Sequence, residues 1–299
     1  MATFFKIVFT VIAGITGGAR FGLIWHGGDL PSMISLYCSA IPLFLVGLSI
    51  GSLAVFASAI FGWATVAYLF GSYASMLFLF ADTIPAFLLV FFLLRGNLDP
   101  KGGRIWYPLG WALSWLALAG GLIALWFGYN IVGLEAITTG STETIKQAIV
   151  PLLEKSIATV IVGNPELQMS LVVALTPVFM TFVVLLWFTR TLIVAFIAQY
   201  ILSAMKKALR PSPDYLNIRI QHWLGVLILL SLIVGVSFGG SVLYLALNFA
   251  GALALPYFVR AICWGHKKAA SFRYSALALI VFYASLFWIS YISFKVLGF

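Results

Sequence analysis

The sequence predicts an all-α, polytopic transmembrane bundle of about nine spans, and three observations carry that prediction. Of its 299 residues 63% are apolar and only 8% charged, too little polar surface to cover a soluble globule of this size. The apolar residues fall into runs near the roughly 20 residues that cross about 30 Å of hydrocarbon as a helix. Lys and Arg outnumber Asp and Glu by nine charges and gather between alternate runs, as the positive-inside rule requires.

The first run, 5–25, ends its glycine cluster at Gly17-Gly18-Ala19, which resembles a signal-peptide cleavage site. Apolar residues continue to Trp25, so an uncleaved first helix is expected. Ala13, Gly14, Gly17 and Gly18 give two overlapping small-xxx-small pairs, a face that admits another helix at close range; it is the expected docking face for a membrane-protein partner. Runs 33–50 and 51–71 are separated only by Gly47, Gly51 and Ser52, which predicts a tight helical turn. Runs 73–94 and 105–129 flank a basic connection carrying Arg95, Lys101 and Arg104.

The long polar segment is 130–168. Ser141 is placed to cap a helix with Glu143 near its positive end. Ile145, Ile149, Leu152, Leu153, Ile157 and Val160 then recur at helical spacing, which predicts an amphipathic surface helix with a bend at Pro151. Asn164-Pro165-Glu166 is a helix-start pattern. The following run, 170–204, would measure about 52 Å as one helix, so it must tilt, kink at Pro177 or project beyond the bilayer.

Residues 205–221, MKKALRPSPDYLNIRIQ, form the most basic stretch and the predicted cytoplasmic loop. Ser212-Pro213-Asp214 predicts a short helix within it, leading to Trp223. Runs 222–238, 242–264 and 274–297 complete the count. Alternation from a cytoplasmic loop at 205–221 puts the N-terminus in the cytoplasm and the C-terminus in the periplasm. Eleven Lys and Arg then lie inside, and only Lys146, Lys155 and Lys295 outside, beside Asp29, Glu135, Glu143, Glu154 and Glu166. The chain is thus expected to be a single membrane domain of a bacterial inner membrane, with segment 130–168 periplasmic.

Four ionisable residues fall inside runs: Arg20, Asp82, Arg190 and Arg260. A charge at mid-bilayer costs at least about 2.5 kcal/mol. Arg20 and Arg260 lie near span ends, where long side chains snorkel to water. Asp82 and Arg190 lie near the middle, which predicts an ion pair, either a helix staple or a solute site. Asn248 is the third polar group at depth and can bridge helices or hold a ligand. Pro85, Pro177 and Pro256 release backbone carbonyls inside runs, as kinks and transporter binding sites both do. Trp25, Trp106, Tyr107, Trp223 and Trp264 fit the interfacial aromatic belt.

No HExxH or Gly-rich phosphate loop occurs, and no catalytic residue or cofactor is expected. His26, His222 and His266 lie at different span ends, and Cys38 and Cys263 inside apolar runs, so no metal site is expected either. No basic domain suited to nucleic acid exists outside the runs. The lipid bilayer is the expected surrounding, and a small solute or a membrane-protein partner the expected ligand.

LYCSAIPLFLVGLSIG at 36–51, LRPSPDYLNIRI at 209–220 and NFAGALALPYFVRAICWGH at 248–266 together resemble the YybS-like family of bacterial membrane proteins. That family looks distantly similar to the substrate-binding S-components of energy-coupling-factor transporters. The resemblance implies an inner-membrane protein that binds a small solute and docks onto a partner through small-residue helices, with Ala13 to Gly18 as the docking face. Asn248, Pro256 and His266 fit the family pattern; Asp82 and Arg260 depart from it. The alternative is an assembly or scaffold protein that binds other membrane proteins and carries no solute.

Overall fold

A computed structural model describes residues 2–27, 38–98, 103–215 and 217–296. Helices dominate: α1 (Ala2–Gly27), α2 (Ile41–Ile50), α3 (Ser52–Phe78), a π-helical turn (Leu79–Thr83), α4 (Ile84–Leu93), α5 (Leu109–Thr139), α6 (Glu143–Val160), α7 (Pro165–Leu175), a 3-10 turn (Thr176–Val178), α8 (Phe179–Ala204), α9 (His222–Phe238), α10 (Gly240–Ala269) and α11 (Ser275–Val296). One antiparallel hairpin interrupts them, β1 (Gly96–Leu98) on β2 (Arg104–Trp106), with Asn97 opposite Ile105. The run expected from 105 therefore begins at Leu109, after the strand.

Among the described residues five stretches are long and apolar enough to cross a membrane: Thr3–Leu23, Ser52–Leu93, Leu109–Ile131, Pro165–Ala204 and Gly240–Ala269. The chain is thus an all-α, multi-pass membrane protein. Ile41–Ile50, His222–Phe238 and Ser275–Ser285 are apolar but shorter, so helix length alone supports fewer than nine crossings. The first part of the 33–50 run lies outside the described residues.

The 42-residue stretch Ser52–Leu93 is folded back on itself. Gly71 has φ 87° and ψ 174°, a combination closed to L side chains. Phe78 then packs on Gly62, and Phe87 faces Phe56 at 5.7 Å between ring centres. Gly51, at φ 135°, reverses α2 onto α3 in the same way, which is the tight turn expected there.

The chain divides into two compact units. Met1–Leu116 and Trp187–Asp214 make the first; Ala117–Leu186 and Tyr215–Phe299 make the second. Each holds its own core: Leu43, Phe44, Phe78, Leu89 and Phe188 are buried in the first, Ile149, Leu224 and Leu253 in the second.

In the first unit α1 runs parallel to α3 along its small-residue face. A Cβ on Gly14 would collide with the Ser58 carbonyl oxygen, and one on Gly18 would lie 2.5 Å from that of Gly62. Ser58 Oγ donates to Thr10 O at 2.7 Å across the seam. Ala13, Gly14, Gly17 and Gly18 are all buried. The expected partner-docking face is therefore an internal seam, filled by the chain's own α3.

In the second unit, Ser141 Oγ accepts the Glu143 N–H ahead of α6. Ile145, Ile149, Leu153 and Ile157 are buried, four residues apart. Leu152, expected on that stripe, is exposed, since it lies about 100° around the helix from Leu153. Asn164 caps α7, its Oδ1 accepting from Leu167 N at 3.1 Å.

The described residues of 205–221 form no helix. Pro211 and Pro213 lack amide donors and hold the residues before them extended. The Arg210 side chain turns inward instead. It is buried, and its Nη1 donates to Leu93 O at 2.8 Å and Tyr107 O at 3.0 Å. Gln199 Nε2 donates to Arg210 O at 2.9 Å.

Candidate functional site

The polar groups at membrane depth follow from two prolines. In the first unit, Pro85 has no N–H to offer the carbonyl of Ala81. Just before it the chain takes a π turn, with Ile84 N–H bonded to Leu79 O, and this uncovers Phe80 O as well. Two side chains one turn apart on α8 supply the missing donors. Trp187 Nε1 reaches Phe80 O at 2.9 Å, and Arg190 Nη1 reaches Ala81 O at 3.0 Å.

The same turn presents Asp82, fully buried, to Arg190, whose Nη2 lies 2.6 Å from Asp82 Oδ1. Ser39 Oγ donates to Asp82 Oδ2 at 2.6 Å and accepts from Arg190 Nη2 at 3.0 Å. The ion pair expected from charge and depth is therefore present, closed by a serine and anchored to a broken helix. Short charge-assisted bonds of this kind are what allow two opposite charges to stay dry.

Asn248, buried on α10, does the equivalent work at Pro177 in the second unit. A regular helix would bond Thr181 N–H to Pro177 O, four residues back. Here the Asn248 amide is inserted between them. Its Oδ1 accepts Thr181 N–H at 2.8 Å, and its Nδ2 donates to Pro177 O at 2.9 Å. Thr181 Oγ1 adds a bond to Oδ1 at 3.1 Å, and Nδ2 also reaches Tyr244 O at 2.9 Å. The side chain's donors and acceptor are filled by this joint.

Beside the joint, on the same unit, lies a cavity of about 580 Å³ between α6, α7 and α10. Ile145, Val150, Met169, Val172, Leu243 and Leu247 supply apolar parts of its wall. Tyr244 also lines it, and the Tyr244 hydroxyl is buried with no hydrogen-bond partner among the described residues. Lys146, exposed, stands at the same cavity. Asp82, Arg190 and Asn248 do not line it. Among the described residues no cluster of three or more His, Cys, Asp and Glu is placed to hold a metal.

The sequence pointed to Asp82, Arg190 and Asn248 but not to Ser39, Trp187, Thr181 or Tyr244. The signal at the first joint was the proline arithmetic: the carbonyl four residues before Pro85 requires an outside partner.

Fold and site together define a multi-pass helical membrane protein with proline-broken helices repaired by buried polar side chains. No protein-family model, curated protein or solved structure matches the chain.

Proposed function

We propose that the protein is a non-enzymatic bacterial inner-membrane protein that binds a small, largely apolar solute in the cavity under α6. One observation carries the reading: Tyr244 lines a cavity of about 580 Å³, and its buried hydroxyl has no hydrogen-bond partner among the described residues. A buried hydroxyl left unbonded costs on the order of 1–3 kcal/mol, and small-molecule sites span roughly 300–1,000 Å³. A solute with one acceptor group would take the Tyr244 proton and bury its apolar part against Val172 and Leu243. Lys146 favours an anionic group at the mouth. Asn248 acts behind the wall, fixing the backbone at Pro177 and Tyr244.

The proposal includes nine crossings, a cytoplasmic N-terminus and a periplasmic C-terminus, which place this cavity at the outer face. Kinship with the YybS-like family, and through it with transporter S-components, belongs to the same proposal, as does a membrane-protein partner that completes transport. The scaffold reading has its own support, since Asp82, Arg190 and Asn248 are all engaged in helix joints and line no part of this cavity.

Mass spectrometry of small molecules retained by protein purified from native membranes separates the two. Wild type should retain a species that Val173→Trp, a cavity-filling change at an exposed wall position, excludes. Tyr244→Phe should hold it about tenfold more weakly, the loss of one hydrogen bond. Identical retained species in wild type and Val173→Trp, at equal folded yield, would reject the solute reading in favour of the scaffold.

A further inference from the structure

The second unit carries another unexplained feature, at the opposite end of α10 from the Gly240 turn. Arg260, Trp264, Lys267 and Lys268 recur there at helical spacing, on one face. Asn217, Ile218 and Arg219 line one groove with these residues, and Ile218 is buried. Asn217 Oδ1 accepts from Lys267 Nζ at 2.9 Å, which fixes the segment and orients the lysine. The result is a groove of about 570 Å³ with Arg219, Arg260, Lys267 and Lys268 in its lining, Ser271 beside them and no acidic residue.

Four like charges in one groove repel within a Debye length of about 8 Å, so the arrangement is suited to an anion. Two guanidinium groups with a hydroxyl suit the oxygens of a phosphate, which Arg binds through paired N–H donors. The groove does not stand alone. Trp264 and Lys268 are also walls of an adjoining cleft of about 560 Å³ between α10 and α11, lined by Phe272, Leu277, Val281 and Phe282. Trp264, Phe272, Leu277 and Val281 are exposed. A basic groove that shares two residues with an apolar cleft matches a ligand with a charged head and a hydrocarbon tail.

We propose that this end of α10 is a binding site for an anionic phospholipid, its phosphate in the basic groove and an acyl chain in the cleft. Free phosphate would use the groove alone, and a zwitterionic lipid would not be selected by four cations. The site is independent of the Tyr244 cavity and stands or falls without it.

The test is thermal unfolding of the full chain in detergent, with dioleoyl phosphatidylglycerol, dioleoyl phosphatidylcholine or inorganic phosphate added. Phosphatidylglycerol should raise the midpoint, and the rise should shrink with added salt. Phosphatidylcholine and phosphate at equal concentration should leave it unchanged. Arg219→Gln with Lys268→Gln should weaken the apparent phosphatidylglycerol affinity at least about tenfold, while Lys146→Gln leaves it intact. Because all four cations are exposed, the double variant should keep its lipid-free midpoint; if it does not, lipid retained from native membranes is counted by mass spectrometry and should fall in the variant. An equal shift from phosphate would overturn the lipid reading in favour of a free-anion site. An equal shift from phosphatidylcholine, or undiminished binding or retention in the variant, would overturn it outright.

Discussion

Asp82 and Arg190 show how much of a buried site depends on its neighbours. Each charge alone would be untenable at depth, and each is held by more than the other: Asp82 by Ser39, Arg190 by Ala81 O and Ser39. Asp82→Asn therefore leaves an arginine buried without its counter-charge, which should cost about 3–5 kcal/mol. Replacing both, as Asp82→Asn with Arg190→Met, removes the uncompensated charge, so the double loss should fall short of the sum of the single losses by more than about 1 kcal/mol. Unfolding by denaturing detergent reads all four corners of the cycle; additive losses would mean the pair is not coupled. The charges were legible in the sequence because ionisable residues are rare in apolar runs. Ser39, Trp187 and Thr181 were not, since hydroxyls and indoles are ordinary there and gain meaning only opposite a broken helix. Arg210 was legible as a charge of the basic loop but not as a buried one, because burial against the carbonyls of Leu93 and Tyr107 leaves no trace in local sequence.

At the scale of elements, glycine placement decides where an apolar run becomes two helices. Hydropathy is continuous from Ser52 to Leu93, and 42 residues of unbroken helix would extend about 63 Å, twice the hydrocarbon thickness. Gly71 prevents that, at the point where the runs 51–71 and 73–94 part in the sequence. Nothing lies within 4 Å of where a Cβ on Gly71 would stand, so the cost of Gly71→Ala is conformational alone. It should destabilise the first unit by about 1–3 kcal/mol, whereas Gly18→Ala should act by collision with the Gly62 backbone. Unfolding of Gly71→Ala in detergent checks the first value; an unchanged midpoint would show that the reversal does not depend on the glycine. The failed expectation of a helix at 212–221 has the converse cause. A capping sequence is only permissive, and Pro211 and Pro213 together with the fixed Arg210 leave too few free amides for a turn to start.

Across the whole molecule, the division into two units was hidden because uniform hydrophobicity carries no boundary, and Trp187–Asp214 returns to the first unit after a long excursion. Charge supplies an order of crossings against which contacts within each unit can be set. Within the first unit, Leu209 N bonds to Leu48 O and Arg210 to Leu93 O and Tyr107 O. The turn at Gly51, the hairpin connection and the basic loop thus share one end, as the proposed alternation requires. Within the second, Ser241 Oγ bonds to Ser141 O at one end and Lys267 to Asn217 at the other, again the grouping that alternation requires. These groupings support the proposed crossing order and leave the absolute direction to the charge rule. Single cysteines at Lys155 and Lys207, both exposed, in a chain carrying Cys38→Ser and Cys263→Ser, test that direction. A membrane-impermeant maleimide should label Lys155→Cys in intact cells and Lys207→Cys only after permeabilisation. The reverse pattern would invert the protein and place the Tyr244 cavity on the cytoplasmic face, whereas labelling of both in intact cells would break the alternation between 155 and 207, where α7 and α8 must make a single crossing.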